Sequence, residues 1–330
     1  MKYAEFKAYI AALKKDPAAH ALKPCYVLYG DDAWLRQSAV AMFRSLVDPD
    51  YADFNFLRVS STEGAAQVVE SLEGYPLFGN VRVVLVPDIA EKPSEADRSI
   101  LERYFVSPNP TSVLVLECDE GAEKSFGFVG VEKVDCNRLT AAEIRPIADE
   151  ILSAPPARTI QPAALSELVS RTLADMSRIA CELQKLKAYC DAEITLADVR
   201  EMTSAEPDVQ IFELSEAVCT GNASRALAVL DALAKDGIRP MTVLGMLYGQ
   251  YRRMLHAELH KNEPDAAVAA LLGVKPGALY HIRRVSGKYS QMKLKRAVDY
   301  LADLQFAVLT GKRLEGSAMH EAVLTLLNAV

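Results

Sequence analysis

The sequence predicts a mixed α/β domain followed by domains made only of helices. Two runs rich in valine and leucine, at residues 81–86 and 112–116, are continuous rather than alternating, which is typical of parallel strands buried on both faces. Helical patterns separate the strand patterns as far as residue 139, and this alternation indicates an α/β layered domain. After residue 139 the strand patterns stop, and apolar residues recur at the three- and four-residue spacing of packed helices.

The α/β domain is predicted to span residues 1–139. Its expected elements are, in chain order, a helix over 3–13, a strand over 25–29, a helix over 32–46, a strand over 53–59, a helix over 65–72, and strands over 81–86, 112–116 and 131–134. The strand at 53–59 is predicted from the alternation of its residues, which is the pattern of a half-buried strand.

A small helical domain is predicted over residues 140–206. Thr140 is followed three residues later by Glu143, which is the capping-box pattern of a helix start. The Pro-Pro pair at 155–156 ends that helix, and two helical stretches follow within 161–188. Residues 204–208 are a linker by composition.

Residues 207–330 are predicted to form an all-helical domain. Its apolar stripes include Ile211 with Leu214, Val229 with Leu233, Leu244 with Leu247, and Leu301 with Leu304. Stripes at this spacing indicate helices that pack on one another.

The length of 330 residues accommodates two or three domains, and half of the residues are apolar. No apolar run reaches the roughly 18 residues that a membrane span needs, and residues 1–5 begin no signal-peptide pattern. We therefore expect a soluble cytoplasmic protein without membrane contact. The six cysteines are widely spaced and form no Cys-x-x-Cys pair, which disfavours a zinc or redox motif.

The net charge of −7 is unevenly distributed, with +3 on residues 207–330 and −10 on residues 1–206. No acidic residue lies between Asp265 and Asp299. The cations of this basic stretch, 275–296, are Lys275, Arg283, Arg284, Lys288, Lys293, Lys295 and Arg296. They could contact DNA phosphates, meet an acidic partner subunit or form a solvated helix face.

Gly30, Asp31 and Asp32 occupy the place of a phosphate-binding loop, between a first strand and a helix. A working loop needs glycines for close amide approach, a lysine for the phosphates and a serine or threonine for Mg²⁺. The lysine and the hydroxyl residue are absent here, and the two carboxylates would repel phosphate. The sequence therefore argues against ATP hydrolysis at this position, and we expect no cofactor.

The segment 75–80, Tyr-Pro-Leu-Phe-Gly-Asn, places the large apolar residues Leu77 and Phe78 side by side in a turn. Turns bracketed by proline and glycine lie at the surface. Adjacent residues of a short turn do not both fit one core easily, so an exposed pair would suit a partner's pocket. The alternative is that both side chains pack under the neighbouring helix.

No arrangement of residues predicts a catalytic or metal site. His256 and His260 lie four residues apart on a predicted helix, but a third ligand and the glutamate of a zinc-protease motif are missing. The sequence contains no Gly-x-Ser-x-Gly elbow. We expect neither a catalytic residue nor a metal ligand.

Several segments taken together resemble the delta subunit of the bacterial DNA polymerase III clamp loader. The similar segments are residues 24–35, 72–84, 175–186, 211–214 and 221–227. Their order, their spacing and the total length carry the resemblance, which covers nearly the whole chain.

The resemblance implies a degenerate AAA+ (RecA-like) α/β domain over 1–139, a helical lid domain over 140–206 and a helical collar domain for oligomerisation over 207–330. It implies that Leu77 and Phe78 insert into a hydrophobic pocket of the ring-shaped sliding clamp (the beta subunit), and that this subunit opens the ring without hydrolysing ATP. The implied partners are the gamma/tau and delta-prime subunits, with primed DNA inside the assembly. That assembly, not this chain, is the DNA polymerase.

Two other hypotheses remain open at this stage. An active AAA+ ATPase should carry a phosphate loop, an acidic Mg²⁺ motif after a strand and an arginine finger. The first is absent, and residues 86–88 and 116–117 match the second weakly. A stand-alone DNA-binding protein would use the basic stretch and bind DNA in a salt-sensitive way.

Overall fold

The computed structural model describes residues 1–16, 21–89, 93–204, 207–274 and 276–329, and the chain divides into two compact units, 1–201 and 202–330. The further division of the first unit at residue 139 stays a prediction. Within the described residues, no helix combines the length and the apolar character that crossing a membrane requires.

A five-stranded parallel sheet forms the centre of the first unit. The strands are β1 (Cys25–Tyr29), β2 (Phe56–Arg58), β3 (Arg82–Ile89), β4 (Ser112–Cys118) and β5 (Val131–Asp135). Their spatial order is β2-β3-β4-β1-β5, and β3, β4 and β1 are buried over most of their length. The predicted α/β class with a parallel sheet is therefore confirmed, since continuous apolar strands need cover on both faces.

Helices cover both faces of this sheet. They are α1 (Tyr3–Lys15), α2 (Ala33–Arg44), α3 (Ala52–Asn55), α4 (Gly64–Glu73) and α5 (Glu95–Val106). On one face, the rings of Phe6, Tyr26 and Phe43 pack with centroids 4.9–5.9 Å apart. On the other face, Val84 and Leu114 belong to a core that includes the buried residues of α4 and α5. Successive strand residues point to opposite faces, so each strand serves both layers.

The predicted strand over 53–59 is wrong in its first half. A 3₁₀ turn at Pro49–Tyr51 and helix α3 precede a strand of only three residues. The Asp48 carboxylate accepts a hydrogen bond from the N–H of Asp50 at 3.0 Å, which starts the helical turn. The alternating pattern misleads because Asn55, a polar residue in it, is fully buried.

Four helices and a second small sheet complete the first unit. The helices are α6 (Ala141–Ser153), α7 (Pro162–Arg171), α8 (Met176–Tyr189) and α9 (Leu196–Met202). The expectation that strands stop after residue 139 is wrong, because β6 (Thr159–Ile160) pairs in parallel with β7 (Glu193–Ile194). Strands of two residues are too short to show any periodicity.

The second unit contains only helices in its described residues, as predicted. They are α10 (Pro207–Cys219), α11 (Ala223–Lys235), α12 (Pro240–Leu259), α13 (Asp265–Leu272), α14 (Pro276–Ser286), α15 (Gln291–Leu309) and α16 (Glu315–Ala329). The predicted stripes meet in one core, where the buried hydroxyl of Tyr251 lies 3.3 Å from that of Tyr289.

Candidate functional site

The turn between α4 and β3 presents apolar side chains to solvent. Tyr75 is 76% exposed, Leu77 is 41% exposed and Phe78 is 77% exposed. Phe78 therefore does not pack under a neighbouring helix, and Leu77 is only partly covered. Adjacent exposed side chains of this size are uncommon on a free surface, and they are available for contact with another molecule.

The side chain of Asn55 holds the backbone of this turn in place. Its Oδ1 accepts a hydrogen bond from the N–H of Leu77 at 2.7 Å, and its Nδ2 donates one to the Leu77 carbonyl at 2.8 Å. The side-chain amide thus pairs with the backbone of Leu77 at two points, as a neighbouring strand would. Asn55 has no exposed surface, so the Asn55 side of both bonds is shielded from water.

Phe78 is held in an unusual conformation. Its φ of 49° lies in the left-handed region, which costs about 1–2 kcal/mol for a residue with a side chain. Its ring contacts the ring of Tyr51 with centroids 5.2 Å apart. Beside it runs a shallow groove of about 660 Å³, lined by residues 45–49 and 78–81. The strained backbone aims the ring outward instead of into the sheet.

The start of the turn is also fixed by side chains. Asn109 donates from Nδ2 to the carbonyls of Leu72 and Gly74, at 3.1 and 3.3 Å. The Ser112 hydroxyl donates to the same Gly74 carbonyl at 3.3 Å. The carbonyls at the end of α4 are thereby satisfied, and the point where the chain leaves the helix is fixed.

Sequence reasoning finds the exposed pair but misses its supports. Asn55 lies between Phe54 and Phe56 in a predicted strand. An amide between two aromatic residues was a signal of a buried polar side chain, and such a side chain needs a hydrogen-bond partner. Nothing local in the sequence identifies that partner as Leu77, which lies 22 residues away.

The phosphate-loop position is closed by the chain itself. The N–H of Asp31 donates to Asn137 Oδ1 at 3.3 Å, and the N–H of Asp32 donates to the Cys136 carbonyl at 3.2 Å. A Cβ on Gly30 would lie 2.4 Å from the backbone of residues 136–137. The amides that hold phosphate in a nucleotide-binding loop are thus already paired with protein.

Asp32 joins two helices at this position. Its Oδ1 accepts from the N–H of Leu35 at 3.1 Å, capping α2, and its Oδ2 accepts from the N–H of Met176 at 3.0 Å, at the start of α8. The carboxyl is buried, and desolvation raises its pKa from the ordinary value. A fixed carboxylate therefore supplies the negative charge that these helix N-termini favour.

The cations of the basic stretch have different surroundings. The Arg283 guanidinium pairs with the Asp265 carboxylate at 2.6 Å, and that of Arg284 pairs with Glu216 at 3.1 Å. Both arginines are therefore engaged within the second unit. The remaining described cations, which are exposed, are Lys288, Lys293, Lys295 and Arg296. Lys275 lies outside the described residues.

A second basic feature of this unit was missed by sequence reasoning. Arg252 and Arg253 line a cleft of about 300 Å³ on α12 together with His256, Gly249 and residues 271–272. Among the described residues, no acidic side chain lines the cleft. The adjacent arginines of the sequence were the available signal. The arrangement can attract an anion.

The two histidines of α12 form no metal site with the described residues. The rings of His256 and His260 stack with centroids 6.3 Å apart, and His260 Nδ1 lies 2.8 Å from the Glu263 carboxylate. Throughout the described ranges, no cluster of three or more His, Cys, Asp or Glu side chains is suited to a metal ion.

Comparison with known proteins gives matches at both ends of the chain. The family model for the DNA polymerase III delta subunit matches residues 26–132, and the model for the C-terminal domain of the same subunit matches residues 208–326. Together they account for about two thirds of the chain. The first match contains the exposed turn, and the second lies within the all-helical unit.

A curated relative and a solved structure, both from Bacillus subtilis, are similar to the chain over most of their length. DNA polymerase III subunit delta of Bacillus subtilis is 26% identical over 313 residues, which are 88% of this chain and 89% of the relative. A solved structure of the Bacillus subtilis DNA clamp loader delta protein has a TM-score of 0.72 at 24% identity, and the match covers 98% of this chain and 99% of that one. The likeness to the solved structure shows a shared fold.

Proposed function

The chain belongs to the delta-subunit family of bacterial DNA polymerase III, as its motifs indicated, and from this premise we propose that it binds and opens the ring-shaped sliding clamp. Membership makes it a clamp-loader subunit of the replication machinery. The finer proposal concerns which residues meet the clamp and what the contact does.

The observation that carries the proposal is the exposed pair Leu77 and Phe78 on a turn with a fixed backbone. Removing a leucine and a phenylalanine from water stabilises a complex by roughly 1.5–3 kcal/mol each. Two neighbouring anchors of this kind can dominate a modest interface. A hydrophobic pocket on the clamp is the complementary partner surface.

Opening the ring needs no chemical step from this subunit. A protein that binds the open ring more tightly than the closed ring shifts the population toward the open form, by as much as the two affinities differ. The anchor provides affinity, and the remainder of the contact surface provides the preference for the open ring.

We propose that this subunit neither binds nor hydrolyses ATP. The internal pairing of the amides of Asp31 and Asp32 and the buried carboxylate of Asp32 support this, because phosphate would meet a negative charge and few unpaired donors. Nucleotide would then act through sister subunits of the assembly.

The remaining proposed partners are those sister subunits, gamma/tau and delta-prime, and primed DNA. Exposed apolar residues on α15 and just after it, Phe306, Leu309 and Leu314, support a subunit contact by the second unit. The exposed cations of the basic stretch and of the α12 cleft support contact with DNA phosphates.

The decisive experiment is a titration of the full chain against the sliding clamp of the same organism, without nucleotide, by calorimetry or surface plasmon resonance. The test variant is Leu77→Ala/Phe78→Ala. The matched control is Phe306→Ala/Leu309→Ala, which removes the same two residue types from an exposed helix of the other unit.

Binding that is lost in the test variant and kept in the control supports the proposal and its anchor together. If the test variant binds as the wild type does, the anchor is wrong. If the wild type does not bind the clamp, clamp binding by this chain alone is refuted. Salt-sensitive DNA binding by the isolated chain would then favour a DNA-binding role.

A further inference from the structure

We propose that Asn55 is a positioning residue for clamp binding, holding the backbone of Leu77 so that the Leu77–Phe78 pair is already in its binding shape before the clamp arrives. The inference rests on the proposed function of this turn. Asn55 is buried and does not touch the partner, so it acts entirely through the anchor.

The backbone of the turn depends on the Asn55 side chain at Leu77. None of residues 75–81 exchanges a backbone–backbone hydrogen bond with another described residue. The Asn55 amide provides what a paired strand would, since it binds the N–H and the carbonyl of Leu77 together. The two bonds reach the peptide groups on either side of the Leu77 Cα, and together they fix the position and orientation of this residue.

Phe78, the residue after Leu77, has a backbone conformation that its neighbours must hold in place. Phe78 has φ of 49°, a region that side-chain-bearing residues leave unless their neighbours hold them there. Asn55 fixes the residue before Phe78, and Tyr51 contacts its ring from the same short segment of chain. Both supports come from the 3₁₀ turn and α3, and α3 takes the place of the first half of the predicted strand.

The chain also packs closely against the Asn55 amide at Gly79, the residue after Phe78. A Cβ on Gly79 would lie 3.2 Å from Asn55 Nδ2, so the chain wraps closely around the amide. Gly79 therefore lies close against the Asn55 amide, which is inside the turn instead of at its edge. Only a side chain with a donor and an acceptor at this spacing satisfies both Leu77 groups.

A preformed turn binds more tightly because the clamp does not have to order it. Without Asn55, Leu77 loses two hydrogen bonds and Phe78 is free to leave the left-handed region. The free chain then samples many turn conformations, and only the binding-competent fraction captures the clamp. We expect affinity about 10- to 100-fold weaker, the range of a lost pair of buried hydrogen bonds.

The test uses the full chain with Asn55→Ala and with Asn55→Asp, which has nearly the same shape but only accepts hydrogen bonds and so opposes the Leu77 carbonyl. Clamp affinity is measured at a temperature where melting curves show each variant folded, and hydrogen exchange is followed at the Leu77 amide. The control is Thr140→Ala, which removes the cap of α6 away from the turn.

The expected result is faster exchange at Leu77 and weaker clamp binding in both Asn55 variants, with normal affinity in the control. In the Leu77→Ala/Phe78→Ala background, read at clamp concentrations high enough to reach its residual affinity, Asn55→Ala should weaken binding by less than twofold more, because it has no anchor left to position. This lack of additivity separates positioning from general destabilisation. If Asn55→Ala does not fold, the affinities with and without the Leu77–Phe78 anchor are compared for Asn55→Asp instead.

The proposal is overturned if a folded Asn55 variant binds within twofold of the wild type, or if the loss is as large in the anchorless background. It falls together with the proposed anchor if the Leu77→Ala/Phe78→Ala variant alone binds normally. That last outcome is distinguishable, because it is read from the anchor variant without any change at Asn55.

Discussion

The carboxylate of Asp32 accepts a hydrogen bond at 3.0 Å from the N–H of Met176, a residue 144 positions later in the chain. The other oxygen of the same carboxylate caps α2 through Leu35. One buried side chain therefore starts two helices, at the strand-to-helix turn where nucleotide-binding α/β domains in general hold a phosphate. The carboxylate of Asp32 therefore connects the starts of α2 and α8 directly.

Replacing Asp32 should separate the two roles of its carboxylate. Asp32→Ser retains a hydroxyl that can cap α2 but is too short to keep the bond to Met176, whereas Asp32→Ala loses both. We expect unfolding free energies to fall in the order wild type, Ser variant, Ala variant, with the Ala variant lower by about 2 kcal/mol. Urea unfolding of the full chain measures the difference. Equal stability of the Ser and Ala variants would show that the α2 cap contributes nothing.

Gly30 should not tolerate a side chain. Its φ of 135° lies in a region that favours glycine, and a Cβ would lie 2.4 Å from the backbone of Asn137 and of Cys136. We expect Gly30→Ala to lower the unfolding free energy by about 3 kcal/mol or more. Gly127→Ala is the matched control, because a Cβ there meets nothing within 4 Å. Similar melting temperatures for both variants would contradict the close approach.

The sequence predicts those features that its local patterns encode. The strands β3 and β4 are recognisable because their apolar runs are continuous, and the turn at Leu77 is recognisable because proline and glycine bracket it. The strands β6 and β7 are each only two residues long, so they have no periodicity to detect. Asn55 and Asp32 are visible as residues, but their partners are set by tertiary contacts over 22 and 144 positions, which no local pattern reports.

The cysteines should differ sharply in reactivity. Cys181 is exposed and the other five are buried, and burial raises the pKa of Cys118 to about 11 and that of Cys136 to about 12. In the native protein, a thiol-specific chromogenic reagent should therefore label one thiol rapidly and the rest only on unfolding. Cys181→Ser should abolish the rapid phase, whereas Cys190→Ser should leave it intact. A rapid phase that survives Cys181→Ser would show that a buried cysteine opens readily.

The ion pair between Lys2 and Glu143 should make stability depend on acid pH. The hydrogen bond from Lys2 Nζ, at 2.9 Å, and those from the N–H and hydroxyl of Thr140 lower the pKa of Glu143 from 4.5 to about 2. Because the folded-state pKa is the lower one, the stabilisation is fully present above about pH 4.5 and is lost as the pH falls toward about 2.

Thermal melts of wild type and Glu143→Gln between about pH 7 and about pH 2 measure this contribution. The wild type should melt higher at neutral pH. The difference should shrink as the pH falls from about 4.5 toward about 2, because the unfolded chain takes up the Glu143 proton first and the folded chain follows near the lower pKa. Lys2→Ala should reproduce part of the effect, since it removes the largest cause of the shift but leaves Thr140 in place. A difference that stays constant to the lowest pH would mean that the charge of Glu143 does not stabilise the start of α6.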